Sequence, residues 1–91
     1  MFARAPRVLF EVVDGQAVLL DAAGTRLITL NRTGSLVWDA LEQPIDFSAV
    51  VDRVAGQVDA DRDVLIEDIG RFLGELEEVG LVLHDHARRN A

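Results

Sequence analysis

Few side chains in this 91-residue sequence stand at spacings that chemistry requires. Asp59-x-Asp61-x-Asp63 has the opening rhythm of a calcium loop. The sixth position should then be Gly and is Val64, and the twelfth should be Glu and is Gly70. Helix capping and complementarity to a helix dipole account for these aspartates better. His84-x-His86 offers two imidazoles but no obvious third metal ligand. Ser35 and Ser48 have no histidine nearby in a credible triad arrangement, and Glu77-Glu78 reads as a solvated helix surface. Gly70-x-x-x-Gly74 is a weak sign of close helix contact outside a membrane. There is no cysteine, which removes thiol catalysis, disulfides and Cys-based zinc sites together. No glycine-rich phosphate cradle occurs. The inventory predicts no catalytic residue, no metal site and no cofactor, so the chemistry to expect is binding.

Composition narrows the partner. The formal net charge is −7, and all nine basic residues are Arg. An acidic surface repels phosphate backbones, whereas guanidinium groups suit carboxylates. Arg26 and Arg71 are candidates for such pairing. No run approaches the ~20 apolar residues that span a bilayer, and no targeting segment is visible, so a cytoplasmic protein is expected.

The elements that must position these side chains follow from periodicity. Val8–Val13 is β-branched and apolar and stops at Asp14-Gly15, a hairpin signal. Gln16–Asp21 and Arg26–Leu30 form two further strands, separated by a turn at Gly24. The period then changes to that of helices. Asn31 or Thr33 caps the first, which ends before Pro44; Asp46 caps the second, with Phe47, Val50, Val51, Val54, Ala55 and Val58 on one face. Asp61 or Asp63 caps the third. Its buried stripe is Leu65, Ile69, Phe72, Leu73, Leu76 and Val79, with Gly80 at its end and Leu81-Val82-Leu83 folding back. The expected fold is α+β: a three-stranded antiparallel sheet followed by a three-helix bundle, similar to a winged helix-turn-helix. Residues 1–7 are expected as a flexible N-terminus, 8–83 as the domain and 84–91 as a flexible tail.

The order Leu20-Asp21, Gly24, Leu30-Asn31, then Asp68-Ile69-x-x-Phe72-Leu73-x-x-Leu76-x-x-x-Gly80-Leu81 resembles the PqqD family of pyrroloquinoline quinone biosynthesis. The wider group is the RiPP recognition element of pathways that modify ribosomally made peptides. The resemblance covers residues 8–83. It implies a non-catalytic adaptor that binds the leader of a precursor peptide and presents it to a maturation enzyme, either a radical SAM protein or a leader peptidase. It also implies that the leader adds as a strand to the third strand, beside the third helix. One departure is Ile28, where relatives often carry an aromatic residue.

The candidate peptide-binding residues are therefore Arg26, Leu27, Ile28, Thr29 and Leu30 on the strand. On the helix they are Leu65, Ile66, Asp68, Ile69 and Leu73. The strand has no proline and no acid to discourage pairing. Of the two helix flanks, the apolar one with Ile66, Gly70 and Leu73 is favoured as groove lining over that of Asp68, Arg71 and Glu75. A simpler role for Ile66 and Leu73 is contact with the first helix near Trp38. An exposed edge also permits a homodimer. The rival functions are a winged-helix DNA-binding regulator and a purely structural interaction subunit. The first needs a basic helix, but the third carries Asp63, Glu67, Asp68, Glu75, Glu77 and Glu78 against Arg62 and Arg71.

Overall fold

The computed structural model describes residues 1–21 and 23–85. Strands β1 (Phe2–Arg4), β2 (Leu9–Val13), β3 (Gln16–Leu20) and β4 (Leu27–Thr29) precede helices α1 (Arg32–Ala40), α2 (Phe47–Ala55) and α3 (Arg62–Glu78). Strand β5 (Val82–His84) follows. β2, β3 and β4 form an antiparallel meander, and β1 pairs antiparallel with β5 in a second, two-stranded sheet. The expected α+β architecture of a three-stranded sheet with three helices is what the chain adopts.

Local chemistry sets each boundary. Asp14 (φ 54°) and Gly15 (φ 79°) both occupy the left-handed region, as a two-residue hairpin turn of the mirror-image type requires. This turn fixes the register at Val13 opposite Gln16. Asn31 accepts the Gly34 N–H at 2.8 Å to start α1, and Asp46 accepts the Ala49 N–H at 2.8 Å to start α2. At the end of α3, Gly80 (φ 83°) lets its own N–H reach Glu77 O (3.1 Å) and the Leu81 N–H reach Leu76 O (2.9 Å). That pair of bonds is a Schellman closure, and it turns the chain straight into β5.

The inner face of the sheet packs on the helices through Ala17 and Leu19, which meet Val37, Trp38, Val50, Val51, Val54, Leu65, Ile69 and Leu73 in one core. Among the described residues Ser35 is the buried polar one. Its hydroxyl accepts the Ala17 N–H (2.8 Å) and reaches toward Leu30 O (3.4 Å), so α1 is pinned to the end of the β3–β4 ladder. A buried hydroxyl paired on both sides avoids the cost of an orphaned polar group.

The N-terminal residues depart from expectation. Phe2 is largely buried, its N–H and C=O bond to Ile45 (2.7 and 3.0 Å), and its ring stacks on His84 at 4.0 Å. Arg4 donates to Trp38 O (2.8 and 3.2 Å) while its guanidinium lies 4.5 Å from the Phe10 ring and 4.9 Å from that of Trp38. Partial burial there pulls the Arg4 pKa below its usual value, an effect opposed by Asp39 and Glu42. A segment that the pattern leaves without an element is thus a strand, and His84 belongs to the strand that pairs with it. The remainder of the expected tail, residues 86–91, lies outside the described residues.

Candidate functional site

β4 is an edge strand, bonded to β3 on one side only among the described residues. The Leu30 N–H donates to Ala17 O (2.8 Å) and the Asp21 N–H to Arg26 O (3.2 Å), with Ile28 opposite Leu19 between them. In an antiparallel ladder, bonded and non-bonded pairs alternate. Arg26, Ile28 and Leu30 therefore turn their main-chain groups to β3. Leu27 and Thr29 turn theirs outward to the open edge. These outward N–H and C=O groups are a template for another extended chain.

Side chains on β4 alternate as well. Leu27 lies on the outer face of the sheet, where with Leu9, Val13, Val18 and Leu20 it lines a shallow apolar depression of about 310 Å³. Arg26, Ile28 and Leu30 share the face toward α3. Beside β4 on that face is a groove of about 400 Å³, walled by Ile28, Thr29, Leu30 and Asn31 on one side and by Phe72, Glu75, Leu76 and Val79 on the other. It continues past Phe72 and Glu75 into a more polar hollow of about 240 Å³ between α1 and α3, which also holds Thr33, Asp68 and Arg71. Past Ile28 and Val79 in the other direction, Asp21 and Arg26 line a third hollow of about 190 Å³.

The charges at the two ends are held differently. Asp21 accepts the Thr25 N–H (2.9 Å), the Thr25 hydroxyl (3.3 Å) and the Arg26 N–H (3.4 Å). The Thr25 N–H bond is the largest cause of a carboxyl pKa below the usual value. At the opposite end Arg71 pairs with Asp68 at 3.0 Å.

The α3 candidates are distributed unevenly. Leu65, Ile69 and Leu73 are core residues, with Ile69 also reaching the floor of the α1–α3 hollow. Ile66 is 40% exposed, and its flank turns to α2, since a Cβ on Gly70 would lie 3.7 Å from the Phe47 ring. The expectation that Ile66, Gly70 and Leu73 line the groove therefore gives way to the flank of Asp68, Arg71 and Glu75. Asp68 alone of the named α3 candidates has its charge there. Phe72, Glu75, Leu76 and Val79 were not among those candidates. The signal for them is the spacing Asp68, Phe72, Glu75, Val79, at i, i+4, i+7 and i+11, one continuous flank of a helix. Val79 is 41% exposed although an apolar stripe predicts it buried, because the groove opens there.

Among the described residues no cluster of His, Asp and Glu could hold a metal ion, and no helix is long and apolar enough to cross a membrane. Asp61 occupies the N-cap position of α3 but makes no side-chain capping hydrogen bond, and Asp63 is the acid in the helix's first turn. The pair His84-x-His86 lies partly outside the described residues.

The coenzyme PQQ synthesis protein D family, PqqD, matches residues 16–82. No curated protein matches the chain. Two solved structures share its fold. One is TbiB1 in complex with the TbiA(beta) leader peptide, with a TM-score of 0.82 and 24% identity, covering 93% of this chain and 99% of that one. The other is lasso peptide synthetase B1 complexed with the leader peptide, with a TM-score of 0.77 and 24% identity, covering 91% and 98% respectively.

Proposed function

Because the chain belongs to the PqqD family, we propose that it is an adaptor that binds the leader of a ribosomally made precursor peptide and hands it to a modifying enzyme. The observation that carries this reading is the open edge of β4, where Leu27 and Thr29 direct main-chain groups outward, with the groove lined by Ile28, Phe72 and Val79 beside the strand. A leader in extended form adds as a fourth strand to β2-β3-β4. Its main chain bonds to Leu27 and Thr29, which gives affinity for any extended segment. Its alternate side chains drop between β4 and α3, which gives selectivity.

The role asks for no catalysis by this chain. The partner enzyme is a radical SAM maturase or a leader peptidase, and the complex works in the cytoplasm, where precursor peptides are made. The acidic surface of α3 opposes the rival role in duplex DNA binding, which needs cations against the phosphates.

The test is an amide-shift titration of the labelled protein with a synthetic leader of the precursor peptide encoded beside its gene. Saturable shifts at Leu27 to Leu30 and at Phe72 to Val79 are expected. Shifts confined to α2, or a failure of the leader to bind at any concentration, would refute the role.

A further inference from the structure

The groove beside β4 is not uniform along its length. At the start of β4, Arg26 stands in the hollow with Asp21, Ile28, Val79 and Leu81. The Asp21 carboxylate is occupied by donors from its own turn, Thr25 and Arg26 N–H among them. No carboxylate pairs with the Arg26 guanidinium among the described residues. The middle is apolar, with Ile28, Leu30, Phe72, Leu76 and Val79. At the far end Glu75 borders both the apolar groove and the polar hollow. Arg71, its neighbour one turn back on the helix, gives its guanidinium to Asp68, which among the described residues leaves the Glu75 carboxylate as the uncompensated charge at that end.

Arg26, Ile28 and Leu30 lie on one face at alternate positions, and a strand laid along β4 repeats that alternation. The side chains it sends into the groove therefore pass the cation, the apolar stretch and the anion in turn. Building on the strand-addition reading, we propose that the segment this groove selects carries an acidic side chain against Arg26, an apolar one over Ile28 and Phe72, and a basic one beside Glu75, at alternate positions. Main-chain pairing tolerates any extended segment, so these three side chains set the choice among peptides.

The test uses a capped probe, Thr-Glu-Thr-Leu-Thr-Lys-Thr, and three companions with Glu at both charged positions, Lys at both, or Gln at both. The mixed probe satisfies the order in one chain direction and its reversed sequence, Thr-Lys-Thr-Leu-Thr-Glu-Thr, satisfies it in the other, so both are run and the tighter of the two is taken as the mixed probe. Affinities come from the amide shifts of Leu27 and Thr29. The mixed probe should bind tightest, by up to about fivefold per exposed charge pair over the Gln probe. Arg26→Glu should move the preference to the doubly Lys probe, and Glu75→Arg to the doubly Glu probe. If all four probes shift Leu27 and Thr29 with equal affinity, strand addition stands and the charge order falls. If none shifts them, both fall.

Discussion

The Phe72 ring rests on Gly34: a Cβ built at Gly34 would come within 3.0 Å of the ring's Cζ and 3.2 Å of Cε1. The ring borders both the apolar groove and the polar hollow, so α1 sets the position of a wall they share. Gly34→Ala should leave thermal stability nearly unchanged. Alanine's better helix propensity, at most about 1 kcal/mol, offsets the crowding against the ring and against the Asn31 cap oxygen at 3.1 Å, and the half-buried ring can swing away. Its swing is into the groove. Leader affinity should fall several-fold while the melting temperature holds, as calorimetric titration and thermal melts of the same variant would show.

Thr29 supplies an outward N–H, so Thr29→Pro should weaken leader binding by about tenfold, near the upper end of one lost hydrogen bond. Thr29→Ala keeps the N–H and should bind almost normally. The same change at Ile28 removes an inward N–H that serves the ladder to β3, and should instead lower folding stability. Fluorescence anisotropy with labelled leader, beside far-UV dichroism, separates the two effects.

Asp21 closes the turn before β4. Its folded pKa is depressed, so the stability it adds is present above the ordinary carboxylate range and is lost as pH falls through the folded value. Melting temperature should decline through that acid range in the parent. Asp21→Asn should flatten part of this decline, because no charge is left to titrate. Identical acid limbs in the two proteins would contradict the turn's dependence on the ionised carboxyl.

Phe2 anchors β1 against His84 and the bridge to Ile45. Phe2→Ala should cost about 3 kcal/mol, the lower end for truncating a core Phe, read from urea unfolding. A loss within ~0.5 kcal/mol, the range of ordinary surface changes, would mean that the Phe2 side chain adds nothing to the fold.

Elements that depend on neighbours in the chain are legible in the sequence. The Asp14-Gly15 turn, the caps at Asn31 and Asp46 and the Gly80 stop all act over a few residues, and each stands where its chemistry puts it. β1 is not legible. Its three residues gain their hydrogen bonds from Val82–His84 at the other end of the chain, and nothing local in Phe2–Arg4 announces that partner. The open edge at Arg26–Leu30 could be anticipated from residue types, whereas the outward direction of Leu27 and Thr29 required the register with β3. On α3 the apolar pattern names a stripe but not the side of that stripe left uncovered. Phe72 and Val79 read as core because their spacing fits it, and only the placement of β4 makes them groove walls.

Met1 and Asp85 meet at the outer end of the two-stranded sheet, with the Met1 ammonium 3.0 Å from Asp85 O and the Asp85 N–H 2.8 Å from Met1 O. The first and the last of the described residues therefore lie side by side. Such a body can be spliced into a surface loop of a larger host, or joined head to tail by a short bridge, with no strand or helix pulled out of place. The β4 edge would keep its shape in either arrangement.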